Sequence, residues 1–208
     1  MLQDFLASLP LVAILRGLRP DEAEAVGSAL VEAGFRIIEV PLNSPEPFRS
    51  IETLSRTLPK DVLVGAGTVL SPADVDGVRD VGGRLVVMPH GDTEVIRRAK
   101  ELRMVCTPGV ATPTEAFAAL KAGADAIKIF PAEAVPPAVV KAWRAVLPKG
   151  TIVLPVGGIK PETMKSYVDA GADGFGLGSA LFAPGMAVAD ISRNARAFSE
   201  AWQALKAG

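Results

Sequence analysis

Lys128 stands in the run AIKIFP, with Ile127 before it and Ile129 after it. Side chains alternate along a strand, so Ala126, Lys128 and Phe130 share one face and the two isoleucines share the other. Isoleucines packed against a helix layer would turn the lysine to the enclosed side. There it cannot easily snorkel to water, and desolvation favours the neutral amine, a nucleophile toward carbonyl carbon. The same phase argument singles out Glu39 in RIIEVPL, where Ile38 and Val40 take the outward face and Ile37 and Glu39 the inward one. A carboxyl whose pKa is raised by burial is suited to moving protons near neutral pH. A plainer reading stands beside this one: Lys128 and an inward carboxylate form a buried structural ion pair, since such pairs also perturb pKa values. Burying each ion costs several kcal/mol, so two inward charges at one end of a fold point toward a site.

Other polar residues close neighbouring apolar runs. Arg16 ends LVAILRG and offers a planar fork suited to carboxylate or phosphate. Thr68 lies in VGAGTV, where alternation places it with Val64 and Ala66, and its hydroxyl can donate to the same anion. A surface ion pair for Arg16 and a satisfied loop hydroxyl for Thr68 are the alternatives. Gly157 and Gly158 in VGGIKPET, with Gly178 and Ser179 in GLGSALF, could present main-chain N–H groups to a phosphate, although paired glycines also serve tight turns.

These residues need elements to hold them. Eight runs rich in Val, Ile and Leu begin at Leu11, Arg36, Val62, Leu85, Met104, Ala126, Thr151 and Gly174. Their spacing of about two dozen residues accommodates a strand, a loop, a helix of about three turns and a return. Between them, DEAEAVGSALVEAG carries an apolar stripe at Ala25, Ala29 and Val31, and Thr112 with Glu115 forms a capping box. Glycine closes EAGF, VGGR, KAGA and DAGA, where the chain leaves a helix in a left-handed conformation. Eight alternating strand–helix units predict a (β/α)8 TIM barrel, formed by residues 1–208 as one domain, with a short helix before Leu11 closing its bottom. In that fold functional residues lie at the C-terminal ends of strands, and phosphate sits after the seventh and eighth.

Composition removes several function classes. The chain has 208 residues and is 49% hydrophobic, and its 22 basic and 23 acidic residues leave a formal net charge of -1 with no basic stripe for nucleic acid. One cysteine, Cys106, and one histidine, His90, rule out an internal disulfide and a Cys- or His-based metal cluster. The outward phase of Cys106 makes it a core hydrophobe, His90 reads as a solvated loop residue, and Trp143, Phe198 and Trp202 read as helix packing. The N-terminal run lacks a basic leader, and no membrane-length apolar stretch occurs, so a cytoplasmic protein without a membrane partner is expected.

Taken in order, AILRG, IIEVPLNSP, VGAGTV, CTPGVATPTEA, KIFPA, VGGI and GLGSAL span Ala13 to Leu181. With them the chain resembles the class I aldolases that cleave 2-keto-3-deoxy-6-phospho sugar acids, and within that family the branch acting on the galactonate epimer. The resemblance implies that Lys128 forms a Schiff base and Glu39 handles protons. It implies that Arg16 and Thr68 orient the acid end and hydroxyls of the substrate, that Pro89 and Pro108 shape the rim near the bound keto acid, that Phe130 also meets substrate, and that Gly157, Gly158, Gly178 and Ser179 hold the phosphate. Pyruvate and glyceraldehyde 3-phosphate would be the products, no metal or other cofactor is required, and a homotrimer is expected. Gluconate-type relatives carry an arginine in the segment that here reads PLNSP and a threonine before the Gly-Gly pair. This chain has Asn43 and Val156 there, with Arg16 as the alternative guanidinium. Three other readings use the same residues: an aldolase for the C4-epimeric 2-dehydro-3-deoxy-6-phosphogluconate, a non-covalent sugar-phosphate isomerase with Glu39 as base and protonated Lys128 as acid, and a barrel that only binds a sugar phosphate.

Overall fold

The computed structural model describes residues 2–207. Helix α1 (Leu2–Leu6) precedes β1 (Leu11–Ile14), and the chain then alternates through α2 (Ala23–Glu32), β2 (Ile37–Pro41), α3 (Pro47–Thr57), β3 (Leu63–Gly67), α4 (Pro72–Asp80), β4 (Leu85–Val87) and α5 (Thr93–Glu101). The second half continues with β5 (Val105–Thr107), β6 (Gly109–Val110), α6 (Pro113–Ala122), β7 (Ile127–Ile129), α7 (Pro137–Arg144), β8 (Val153–Pro155), α8 (Met164–Asp169), β9 (Phe175–Leu177) and α9 (Val188–Ala207).

The strands run parallel in the order β5-β4-β3-β2-β1-β9, and β6-β7-β8 continue the sheet. A bridge between Val156 and Gly176 joins β8 to β9 and closes the barrel. The fifth of the eight expected strands is split into β5 and β6 at Pro108, which has no N–H for the ladder. Its carbonyl still accepts from Lys128 N at 2.8 Å, so the wall stays continuous.

Strand alternation sorts the core into two layers. Val12, Ile37, Leu63, Leu85, Val105, Ala126 and Leu154 fill the barrel, while Ala13, Ile38, Val64, Val86, Cys106, Ile127 and Val153 pack against the helices. Leu2 of α1 is buried with the inner set, so the predicted short helix plugs the barrel floor. The helix layer follows the expected punctuation. Ser71 and Thr112 cap α4 and α6 through capping boxes, and Gly34, Gly82, Gly123 and Gly171 all take positive φ at the helix exits. The stripe expected on α2 is displaced: Ala25 is exposed and Val31 half-buried, while Ala23, Val26, Ala29 and Leu30 are buried. The small residues of that helix leave its phase ambiguous until Leu54 of α3 packs over Gly27.

Two aspartates tie strand entrances together in the same manner. Asp125 accepts from Cys106 N at 2.8 Å and pairs with Lys100, and Asp173 accepts from Val153 N at 2.8 Å and pairs with Arg144. Each sits in a GAD sequence just before a strand. The same local sequence thus supplies the same staple twice. No helix among the described residues is long and apolar enough to cross a membrane.

Candidate active site

A cavity of about 340 Å³ opens at the C-terminal ends of the strands, a size suited to a small organic molecule. It is lined by Arg16 after β1, Glu39 on β2, Thr68 after β3, Lys128 and Phe130 on and after β7, Val156, Gly157 and Gly158 after β8, and Gly178 and Ser179 after β9.

Lys128 sits in the middle of β7, held inward because Ile127 and Ile129 are committed to the helix layer. It is buried, and its Nζ lies 4.8 Å from the centroid of the Phe130 ring. Glu39 is also buried, between the outward residues Ile38 and Val40. Among the described residues, neither the Lys128 amine nor the Glu39 carboxylate takes part in a hydrogen bond or a direct ion pair. The alternative of a buried structural ion pair therefore does not describe this barrel. The two groups feel each other through space only. Burial pushes the Glu39 carboxyl above the usual range, opposed by the charges of Lys128 and Arg16. Burial likewise pushes the Lys128 amine below its usual range, with Glu39 opposing the shift and Arg16 adding to it.

Neighbouring backbone makes room for this pair. A Cβ at Gly67 on β3 would collide with the Glu39 carboxylate, so the carboxylate lies where that strand has no side chain. The Arg16 guanidinium donates from Nη1 to Asn43 Oδ1 at 2.8 Å, and Gly17 N donates to Ser44 Oγ at 2.9 Å. The PLNSP segment after β2 thus steadies the end of β1. Thr68 reaches the cavity by a route that alternation does not predict. Val64 and Ala66 face the helices, and Thr68 turns in because its φ of 55° ends the strand's regular phase.

The glycines after the last two strands differ in what they need. Gly157 and Gly158 have positive φ and lie against the carboxylate of Glu133. Gly178 has nothing within 4 Å of where a Cβ would stand, so no protein atom requires a glycine there. Its missing side chain leaves open space inside the cavity, as close approach of a ligand to main chain would need.

Pro89 is half-buried and is not among the residues lining the cavity. It lies after β4 against β6, where a Cβ at Gly109 would come within 2.5 Å of the Pro89 carbonyl, so its backbone is covered by the neighbouring strand. His90 is exposed and does not line the cavity. Burial pushes the Cys106 thiol up to about 12, and its Sγ packs 3.9 Å from Met88 Sδ, as a core residue would. Three features escaped the sequence reading. Gly67 was readable only as part of a GAG strand, Thr107 points into the barrel beside Lys128 and Glu39, and Glu133 lines the cavity from the turn after β7.

A parallel barrel with a desolvated amine and a carboxyl facing one cavity suits an enzyme of the covalent-catalysis type. The chain belongs to the KDPG and KHG aldolase family, whose model matches residues 2–196, and so to the class I aldolases. It is 50% identical to a probable 2-dehydro-3-deoxy-6-phosphogalactonate aldolase of Rhizobium meliloti (strain 1021), over 96% of this chain and 94% of that one. It is 48% identical to the 2-dehydro-3-deoxy-6-phosphogalactonate aldolase of Escherichia coli (strain K12), over 94% of this chain and 95% of that one. A solved structure described as native KDPGal superposes with a TM-score of 0.95 at 46% identity, covering 96% of this chain and 97% of the other.

Proposed function

We propose that this aldolase reversibly cleaves 2-dehydro-3-deoxy-6-phospho-D-galactonate to pyruvate and D-glyceraldehyde 3-phosphate, in galactonate catabolism. The observation that carries the reading is a buried, unpaired Lys128 amine sharing a cavity with Glu39. Lys128 attacks the C2 ketone, and loss of water gives a protonated imine. Glu39, directly or through a water, takes the proton of the C4 hydroxyl. The C3–C4 bond then breaks toward the imine, which accepts its electron pair, and the aldehyde leaves. The resulting enamine takes a proton at C3, and hydrolysis releases pyruvate and restores the amine. Thr68 and Arg16 orient the carboxylate and hydroxyls, Phe130 and Val156 form the walls, and the N–H groups of Gly157, Gly158, Gly178 and Ser179 receive the phosphate.

Val156 supports the choice of epimer. Its methyls stand where a hydroxyl donor would favour one configuration at C4, and one lost contact of that kind gives limited discrimination. One barrel domain carries the whole site, in a cytoplasmic homotrimer. Apolar side chains left exposed at Leu70 and Phe117 are compatible with a subunit interface.

Borohydride reduction in the presence of pyruvate tests the chemistry. The expected result is a stable pyruvyl adduct on the peptide containing Lys128, absent in Lys128→Arg. An unchanged mass with pyruvate demonstrably bound would sink the Schiff-base assignment. Comparing kcat/KM for the two C4-epimeric 6-phospho acids tests the substrate, and a preference for the gluconate compound would reverse the narrower assignment.

A further inference from the structure

The phosphate end of the cavity, on the reading given above, contains a side chain of the wrong charge. Glu133 lies in the turn Ala132–Ala134 after β7, and its carboxylate faces both glycines of the pair after β8. A Cβ at Gly157 would collide with Oε2, and one at Gly158 would lie 3.1 Å from Oε1. The carboxylate is solvent-exposed, and the turn that carries it is fixed. Ala132 N donates to Val156 O at 2.9 Å, and the Tyr167 hydroxyl donates to Ala132 O at 3.0 Å, so the turn is pinned to β8 and α8. No lysine or arginine among the described residues pairs with Glu133. The cationic side chains of the cavity lining are Arg16 and Lys128, which serve the other end of the proposed substrate.

We infer that Glu133 is a specificity-determining residue that deliberately weakens the phosphate end, opposing the charge that the main-chain N–H groups attract. Main-chain N–H groups and a serine hydroxyl hold a phosphate without net charge, so an adjacent carboxylate is unopposed by any side-chain cation. Weakening the ground-state grip on phosphate lowers affinity for the phosphorylated aldehyde as well as for the phosphorylated keto acid. Product then leaves faster, and binding energy that does not assist the chemical step is reduced. Glu133 is exposed to solvent, so screening holds the effect to a few-fold.

The test is a charge series, Glu133→Gln and Glu133→Lys, read with inorganic phosphate as a competitive inhibitor of cleavage. The Ki for phosphate is expected to fall about two- to fivefold for the glutamine variant and further for lysine, the order that Coulomb attraction dictates. In the condensation direction, the ratio of the KM for D-glyceraldehyde to that for its 3-phosphate should rise in the same order, which a merely structural role would not produce. If phosphate competes with the wild-type protein but its Ki is unmoved across the series, the role of Glu133 is overturned and the phosphate site stands. A KM for the phosphorylated aldehyde that rises in Glu133→Gln also overturns it, since the carboxylate would then be binding substrate hydroxyls. If phosphate fails to compete even with the wild-type protein, the phosphate reading falls and this inference with it.

Discussion

Lys128 and Glu39 are displaced in opposite directions by one cause, the loss of water around a charge. Both shifts favour the uncharged forms, and each charge partly restores the other. The consequence for stability follows from proton linkage. A carboxyl raised on folding contributes stability below its unfolded pKa that is lost as pH rises through its folded value. An amine lowered on folding contributes stability at high pH that is lost as pH falls through its folded value. The consequence for chemistry is more direct. The rate of pyruvate trapping by borohydride should rise with pH and level off below the ordinary lysine value of 10.5. In Glu39→Gln the maximal rate should drop, and the midpoint should move to lower pH, because the negative charge that holds the amine's pKa up has been removed. A midpoint at or above that of the wild-type protein would contradict the through-space coupling. The charges of these two residues, and the phase that turns them inward, are legible from six-residue stretches of sequence. Their failure to pair is not, because the gap between β2 and β7 depends on the width of the barrel.

At the scale of elements, two glycines at the ends of different strands do different work. Gly67 on β3 vacates the volume that the Glu39 carboxylate fills, whereas Gly178 after β9 faces open cavity. Gly67→Ala should therefore push the carboxylate aside and lower kcat by about a hundredfold, the scale of a lost acid–base contribution. Gly178→Ala should leave thermal stability within about 0.5 kcal/mol and raise the KM for the phosphorylated substrate severalfold, since its methyl meets only ligand. Steady-state kinetics beside thermal unfolding distinguish the two, and a Gly178→Ala protein with unaltered KM would argue against phosphate at that loop. Sequence showed glycines at both places and assigned a ligand role only to the second. The use of Gly67 depends on which residue of the adjacent strand lies opposite it, and the register pairs Gly67 with Pro41 and Gly65 with Glu39. The carboxylate leans along the strand to reach Gly67.

At the scale of the whole molecule, the barrel is closed at its last seam by one bridge between Val156 and Gly176. Asp173 reinforces β8 there, accepting from Val153 N at 2.8 Å while paired with Arg144, whose Nη1 and Nε also cap the carbonyls of Thr151 and Gly171. Asp173→Ala would leave a buried strand N–H without its charged acceptor. A loss of about 1.5–3 kcal/mol is expected in denaturant unfolding, with kcat little altered because the staple lies at the opposite end of the barrel from the cavity. A variant as stable as the parent would mean that backbone bonds and hydrophobic packing hold the seam without the Asp173 carboxylate. Eight strand–helix units were visible as a recurring apolar run, but this seam was not, since which residues of β8 and β9 meet depends on the curvature of the whole sheet.

The sequence by itself determined the repeat of strands and helices, their glycine exits and capping boxes, and the inward phase of Glu39 and Lys128. These depend on backbone geometry and side-chain type within one or two turns of chain, so neighbouring residues suffice to specify them. The tertiary structure alone decided that Thr68 leaves its strand's phase at a φ of 55°, that Pro89 is covered by β6, and that Glu133 comes to rest over the paired glycines. Each depends on where a loop from one strand meets the end of another. That meeting is set by the curvature and closure of the barrel, which belong to all the strands together.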